Sequence, residues 1–236
     1  MLNNKLVLAV IPARGGSKGL KRKNIYPLLE KPLIKWTIDA AKSSKYIDEV
    51  YVSSEDDEII SISEKYGSNI IKRPTNLARD ETLSDPVIEH AIHAIKKMNN
   101  NEDDFFVVFL QPTSPMRNYR HIDELIDMMS ISDTDCVISV FIPSKTPFKA
   151  YVDDGCGYIK GMVSGDAPYM RRQDLPIVYY PNGAIYVFES KLFLKNGVMP
   201  RDRITPYVMS EEESIDVDSY YDIVRAEKLM LKGKSE

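Results

Sequence analysis

The 236-residue sequence is poor in the features that would force a special class on it. Cys136 and Cys156 are the only cysteines, with no Cys-x-x-Cys pair and no metal-like spacing to histidine. They read as buried or idle thiols, which argues against a disulfide scaffold and fits a reducing compartment. The longest apolar runs, residues 6–11 and 105–110, fall far short of the roughly 20 residues of a membrane span. The first run is also shorter than a signal-peptide core of about 7–15 residues, and Arg14, Lys18 and Lys21 follow it at once. A cytoplasmic protein without a membrane segment is therefore expected. Neither charge sign prevails: 31 Lys and Arg stand against 35 Asp and Glu, a net charge of -4. That balance gives no ground for binding nucleic acid nonspecifically, although a local basic cluster can still hold an anionic ligand. A 43% hydrophobic content over this length supports a domain whose core needs no crosslink.

Apolar runs and helical stripes then alternate along the chain. Residues 5–11 are a continuous Leu/Val/Ile run, as expected of a strand covered on both faces. A helix follows from Pro32, with Ile34, Ile38 and Ala41 at helical spacing. Residues 49–53 predict a strand, and Asp56 and Asp57 open a helix with Ile59, Ile62 and Tyr66 inward, stopped by Gly67. Residues 69–72 predict a short strand, and residues 85–98 a helix with the stripe Val87, Ile88, Ala91, Ile92 and Ile95. Residues 105–110 are the most hydrophobic strand and should be central; Ile122, Leu125, Ile126 and Met129 mark the next helix, and residues 136–142 the next strand. This order predicts an α/β fold, a mostly parallel sheet with helices on both faces, as a single domain over residues 1–236.

The pattern breaks over residues 143–181, rich in Pro and Gly and without a helical stripe. Residues 149–152 and 158–162 predict a hairpin inside it. So long an irregular stretch reads as an active-site lid or an arm onto another subunit. Strands are then expected at residues 184–188 and 214–217, and a last helix from Ser219.

Four motifs carry chemistry. Residues 11–24, IPARGGSKGLKRKN, directly follow the first strand. Gly15, Gly16 and Gly19 let backbone amides face a ligand, and Arg14, Lys18, Lys21, Arg22 and Lys23 supply cations, which together suit a polyphosphate. The Walker pattern fails at Leu20 and the dinucleotide pattern at Ser17. In the expected strand at 214–217 and its end, Asp216 and Asp218 would share one face while Ile215 and Val217 turn inward. Two hard oxygen ligands, completed by phosphate oxygens and water, suit Mg²⁺. Gln111 opens the rigid QPTSPMR stretch at the end of the expected central strand. Finally, Arg171 and Arg172 can hold a carboxylate, and Gln173, Asn182 and Tyr186 offer neutral hydrogen bonds to a polyhydroxy ligand. His90 and His93 lack a third metal ligand and read as structural.

These residues resemble the CMP-sialic acid synthetases (acylneuraminate cytidylyltransferases). The loop from Ala13 to Leu20 ending at Lys23-Asn24, Arg73-Pro74, residues 77–80, residues 110–115, Arg172-Gln173, residues 182–186 and residues 215–218 match that family in order. The resemblance implies a Rossmann-like sheet and a reaction in which the anomeric hydroxyl of a nine-carbon sugar acid attacks the α-phosphorus of CTP with Mg²⁺ assistance, releasing pyrophosphate. It implies that Ala13, Arg14, Gly15, Lys18, Asn24, Arg79 and Ser84 meet the nucleotide. Gln111, Lys149, Arg172, Gln173, Asn182 and Tyr186 would meet the sugar acid. Asp216 and Asp218 would bind metal, with Asp216 able to orient the attacking hydroxyl or take its proton; Arg14, Lys18 and the two aspartates form the catalytic set. Residues 143–181 become an inserted extension exchanged between subunits of a homodimer. Ser17-Lys-Gly-Leu favours the sialic and legionaminic branch. The residues themselves also admit a sugar-1-phosphate nucleotidyltransferase, or a nucleotide-sugar-binding protein without turnover.

Overall fold

A computed structural model describes Leu2, residues 4–100 and residues 102–232. The chain opens with β1 (Val7–Pro12), a small hairpin of β2 (Pro27–Leu28) and β3 (Lys31–Pro32), then α1 (Leu33–Lys42). It continues through β4 (Glu49–Ser54), α2 (Asp57–Lys65), β5 (Asn69–Lys72), α3 (Ser84–Asn99), β6 (Phe106–Phe109), α4 (Tyr119–Ile131) and β7 (Cys136–Phe141). The remaining elements are β8 (Tyr151–Asp153), β9 (Ile159–Gly161), β10 (Tyr180–Glu189), α5 (Ser190–Asn196), β11 (Ile204–Val208) and α6 (Tyr220–Lys232).

Seven strands form one sheet in the order β11-β7-β10-β6-β1-β4-β5. Only β10 runs antiparallel to its neighbours, so the mostly parallel α/β sheet expected from the sequence is the observed one. The hydrophobic strand β6 is its central member. Its side chains divide between two cores: Phe106 and Val108 pack with α1 and α4, Val107 and Phe109 with α3 and Phe193 of α5. The chain builds outward from β1 to β4 and β5, then crosses to β6 on the other side of β1. Connections therefore leave the carboxyl ends of β1 and β6 in opposite directions, and a crevice opens between them.

Three elements differ from the sequence expectation. Residues 214–217 are not a strand: Ile215 and Val217 do turn inward, but into a small satellite core with Leu20, Leu28, Leu33 and Ile223, off the sheet. The sheet edge beside β7 is taken instead by β11, whose Pro206 disguises it in the sequence. An edge strand tolerates proline because one side of its backbone needs no ladder partner. The short α5 carries too few apolar positions to show a stripe; its buried Ser190 accepts from Phe105 N and donates to Asp104 Oδ1 at 2.7 Å.

Between β7 and β10, residues 142–179 hold the antiparallel pair β8–β9 and several short 3-10 turns. The pair lies within one or two residues of the expected hairpin. Tyr158, Ile159, Val163, Tyr169 and Ile177 of this segment expose most of their side chains. Among the described residues no helix is long and apolar enough to cross a membrane.

Candidate functional site

A cleft of about 410 Å³ occupies the crevice beyond β1 and β6. The loop after β1 forms one wall with Arg14, Lys18, Lys23 and Asn24; the stretch before and at the start of α3 forms the other with Arg73, Arg79, Asp80 and Ser84. Phe109 and Gln111 supply the floor, and Asp218 stands at the rim. Eight residues singled out from the sequence, Arg14, Lys18, Lys23, Asn24, Arg79, Ser84, Gln111 and Asp218, thus share one cavity although they come from distant parts of the chain.

The glycine loop is held by acids at the start of α2. Gly15 N donates to Glu55 Oε1 at 2.7 Å, and Asn24 Nδ2 donates to Arg14 O at 2.9 Å. Arg22 grips Asp56 with both amino groups, at 2.5 and 3.0 Å, and this pairing holds the Asp56 carboxyl below its usual range. The cations read together in the sequence therefore divide. Arg22 fastens the loop, Lys21 is exposed, and Arg14, Lys18 and Lys23 reach the cleft. Gly19 is required by close approach: a Cβ there would lie 2.4 Å from the Asp218 carbonyl oxygen.

Each carboxylate of the cleft already holds a loop cation. Asp80 sits 2.9 Å from Arg14 Nη1 and 3.0 Å from Lys18 Nζ, while Asp218 sits 2.7 Å from Lys23 Nζ. Lys18, and then Arg14, keep the Asp80 carboxyl below its ordinary pKa. These are partners that a polyphosphate would exchange for its own oxygens.

Sequence reasoning assigned no role to three contributors. Arg73 is 5% exposed and walls the cleft; its Nη2 lies 3.4 Å from Glu55 Oε2, and its Nε finds no hydrogen-bond partner among the described residues. Burial lowers its pKa, with Glu55 opposing. Arg117, 2% exposed, donates from Nη1 to the carbonyls of Gln111 and Ala184 at 3.1 Å, and burial brings its pKa down to about 9. It ties the end of β6 to β10. Asp80 is the third. Arg73 and Asp80 stood inside quoted motifs, but only the fold could show which way they face.

On the floor, Gln111 lies over Gly183, where a Cβ would meet Gln111 Oε1 at 2.7 Å; the φ of +72° there also favours glycine. Tyr186 pairs with Phe109 in the β10–β6 register and packs edge-on against its ring, at 6.1 Å between centroids. Ala13 is buried behind the loop and offers no side chain to the cleft. Asp216 and Asp218 are both exposed, on either side of the buried Val217. The surrounding protein desolvates the Asp216 carboxyl and raises its pKa; a hydrogen bond from Thr113 opposes this, and the charge of Asp218 adds to it.

Five of the six expected sugar contacts, Lys149, Arg172, Gln173, Asn182 and Tyr186, do not line the cleft in this chain, and only Gln111 does. Lys149, Arg172 and Gln173 are exposed on the 142–179 segment. Arg172 and Gln173 line a separate groove with Thr146 and Ile177, and Arg172 donates to Pro143 O at 3.2 Å. Asn182 is buried in a bulge of β10 with its amide fully engaged inside the protein.

Comparison with known proteins adds to this geometry. Residues 8–214 match the family described as Cytidylyltransferase. The chain is 35% identical over 219 residues to the N-acylneuraminate cytidylyltransferase of Streptococcus agalactiae serotype III (strain NEM316), covering 92% of this chain and 51% of that protein. It thus spans about half the length of that relative. It is 32% identical over 238 residues to the pseudaminic acid cytidylyltransferase of Campylobacter jejuni (serotype O:2, strain ATCC 700819 / NCTC 11168), covering 97% of each. Among solved structures, a CMP:2-keto-3-deoxy-manno-octonic acid synthetase complexed with CTP aligns with a TM-score of 0.70 at 18% identity, over 97% of this chain and all of that one. The last likeness bears on the fold alone.

Proposed function

The chain belongs to the cytidylyltransferase family of CMP-sialic acid synthetases, and from that membership we propose that it transfers the cytidylyl group of CTP to a nine-carbon sugar acid of the N-acetylneuraminate or legionaminate type. The observation that carries the proposal is the single cleft in which Arg14, Lys18, Asn24 and Asp218 meet Gln111. The loop cations suit a triphosphate, and Gln111 on the floor beyond β6 suits the hydroxyls of a sugar.

Asp216 and Asp218 would hold a divalent ion, Mg²⁺ in this proposal. Both donors are hard oxygens; desolvation, with a smaller contribution from the charge of Asp218, raises the Asp216 pKa, and a cation would favour its charged form. No cluster of three or more His, Cys, Asp or Glu forms among the described residues, so phosphate oxygens and water would complete the shell. A divalent ion held by these aspartates would supply Lewis-acid neutralisation of phosphate charge. The protein's own part is positioning. Arg14 and Lys18 exchange Asp80 for phosphate oxygens and stabilise charge on the departing pyrophosphate. Gln111, whose backbone carbonyl Arg117 holds, would orient the sugar, and Phe109, backed by the Tyr186 ring, forms the floor beside it.

Pyrophosphate release with CTP and a panel of sialic, legionaminic and pseudaminic acids, with CMP-sugars identified by mass spectrometry, tests this reading. No product with any sugar acid sinks it. Turnover only with a sugar 1-phosphate supports the sugar-phosphate alternative, and nucleotide binding without turnover the binding protein.

Asp80→Asn frees Arg14 and Lys18 from their counter-ion, so pyrophosphate binding should tighten a few-fold at low salt and the gain should shrink as salt rises. Calorimetry at two ionic strengths checks it; weaker binding would show that Asp80 itself serves the ligand.

The 142–179 segment is proposed as the dimerisation extension, an assembly that brings Lys149 and Arg172 toward a partner's sugar site. Its exposed apolar side chains and the distance of those residues from this chain's cleft support it. Tyr158→Asp with Tyr169→Asp should convert a sedimenting dimer into monomer; a dimer that persists rejects the arm.

A further inference from the structure

The carboxylates proposed to hold the divalent ion lie on residues 214–218, which join no sheet. No ladder sets their direction, so individual anchors must. Val217 N donates to Thr113 O at 2.8 Å, between the two aspartates. Asp218 N donates to Asp222 Oδ2 at 3.1 Å, at the start of α6. The third anchor is Ser214, two residues before Asp216: its Oγ donates to Ser210 O at 2.7 Å and accepts from Asn182 Nδ2 at 2.9 Å.

Asn182 is 5% exposed. Its Oδ1 accepts from Ser139 Oγ at 2.6 Å and from Ala184 N at 3.1 Å, and its Nδ2 also reaches Met209 Sδ at 3.3 Å. Ser139 Oγ in turn accepts from Ile185 N at 2.8 Å. The chain of bonds runs from the interior of β7 through the bulge of β10 to the segment that bears the carboxylates. Every hydrogen-bonding position of the amide is engaged, and none is left for a hydroxyl of the sugar. Because the Ser214 hydroxyl donates to Ser210, the partner at 182 must itself donate; a carboxamide does so while accepting on its other side.

We infer that Asn182 is a positioning residue for Asp216 and Asp218, acting through Ser214, and not a contact to the sugar acid. The inference rests on the proposal that these aspartates hold the divalent ion. A satisfied polar chain in the interior has one low-energy arrangement, so it transmits the rigidity of the sheet to a loop that has none. Groups that orient metal-binding side chains from behind typically change metal affinity by about 10- to 100-fold when removed.

The test uses Ser214→Ala, which deletes the joint without opening a cavity in the sheet, together with Asn182→Ala. Mn²⁺ binding to the full chain is followed by electron paramagnetic resonance of the free ion, and the KM for the sugar acid is measured at saturating CTP and metal. Expected is an Mn²⁺ affinity weakened about 10-fold or more in Ser214→Ala, with the sugar KM unchanged. If Asn182→Ala does not fold, Ser214→Ala alone decides. Unaltered Mn²⁺ affinity in Ser214→Ala, or a raised sugar KM with intact Mn²⁺ affinity in Asn182→Ala, overturns the inference. Asp218→Asn is the control. If it abolishes Mn²⁺ binding while Ser214→Ala does not weaken it, only the positioning role fails; if it leaves binding intact, the metal assignment fails and the inference with it.

Discussion

Replacing Lys18 by alanine should lower kcat by about 100- to 1,000-fold, the range seen when one preorganised charge donor is removed from a transition state. The side chain is 78% exposed and pairs with Asp80 at the surface, so the fold should not depend on it. Stability should stay within about 0.5 kcal/mol of the parent, as for surface substitutions generally. The pairing with Asp80 adds little, being exposed and screened. Arg14 is fastened differently, donating to Arg79 O at 2.9 Å as well as meeting Asp80, so its loss should disturb nucleotide binding along with turnover. Steady-state pyrophosphate release and thermal melts check the pair of expectations. An unchanged kcat would remove Lys18 from the catalytic set.

Asp216→Asn should have a larger effect on turnover and the opposite effect on stability. If Asp216 holds the divalent ion as proposed, its loss should forfeit about 4 kcal/mol of charge stabilisation, or roughly 1,000-fold in rate. Without metal, however, the variant should melt higher than the parent near pH 7. Desolvation raises the Asp216 pKa above 3.8, the value of a free side chain, so the native state carries the charge at a disadvantage once pH exceeds the native pKa. Below 3.8 the carboxyl is neutral in both folded and unfolded chains and the penalty is absent. The melting difference should therefore shrink as pH falls through that window. Adding Mg²⁺ should stabilise the parent and leave Asp216→Asn unmoved. Melts in chelator and in Mg²⁺ at several pH values measure all three; a variant stabilised by Mg²⁺ as much as the parent would count against the assignment.

The elements that the sequence announced are those whose signal is local. A strand covered on both faces must be apolar at every position, and β1 and β6 are. A helix packed on one face must repeat its apolar residues with the turn, and α3 does. Residues 214–217 misled because alternation reports only which side chains are buried. Ile215 and Val217 are buried as expected, but against Leu33 and Ile223 rather than in a sheet. For β11 the reverse holds, since Pro206 obscures a strand that needs a ladder on one side only.

The candidate site divides in the same way. The Gly-rich cationic loop and the Asp-x-Asp pair stand out in the sequence by residue type and spacing, and the fold brings Arg14, Lys18 and Asp218 to one cleft. Arg73 and Arg22 were not separable by composition, yet one walls the cleft and the other fastens the loop to Asp56. Asn182 looked like a sugar contact in a motif and lies behind the site, its amide pairing inside the protein.

From the residues alone came an α/β chain with a Gly-rich cationic loop after its first strand, because backbone freedom, charge and hydrophobic period are properties of short segments. Which residues share the cleft was decided by the crossover from β5 to β6, which sets Gln111 across from Arg14 and Lys18. Which loop cation fastens the loop and which reach the cleft was decided by Asp56, Asp80 and Asp218 at sequence distances no local pattern spans. Proximity between distant segments is set by packing the two faces of the sheet, and it exists only once that packing is complete.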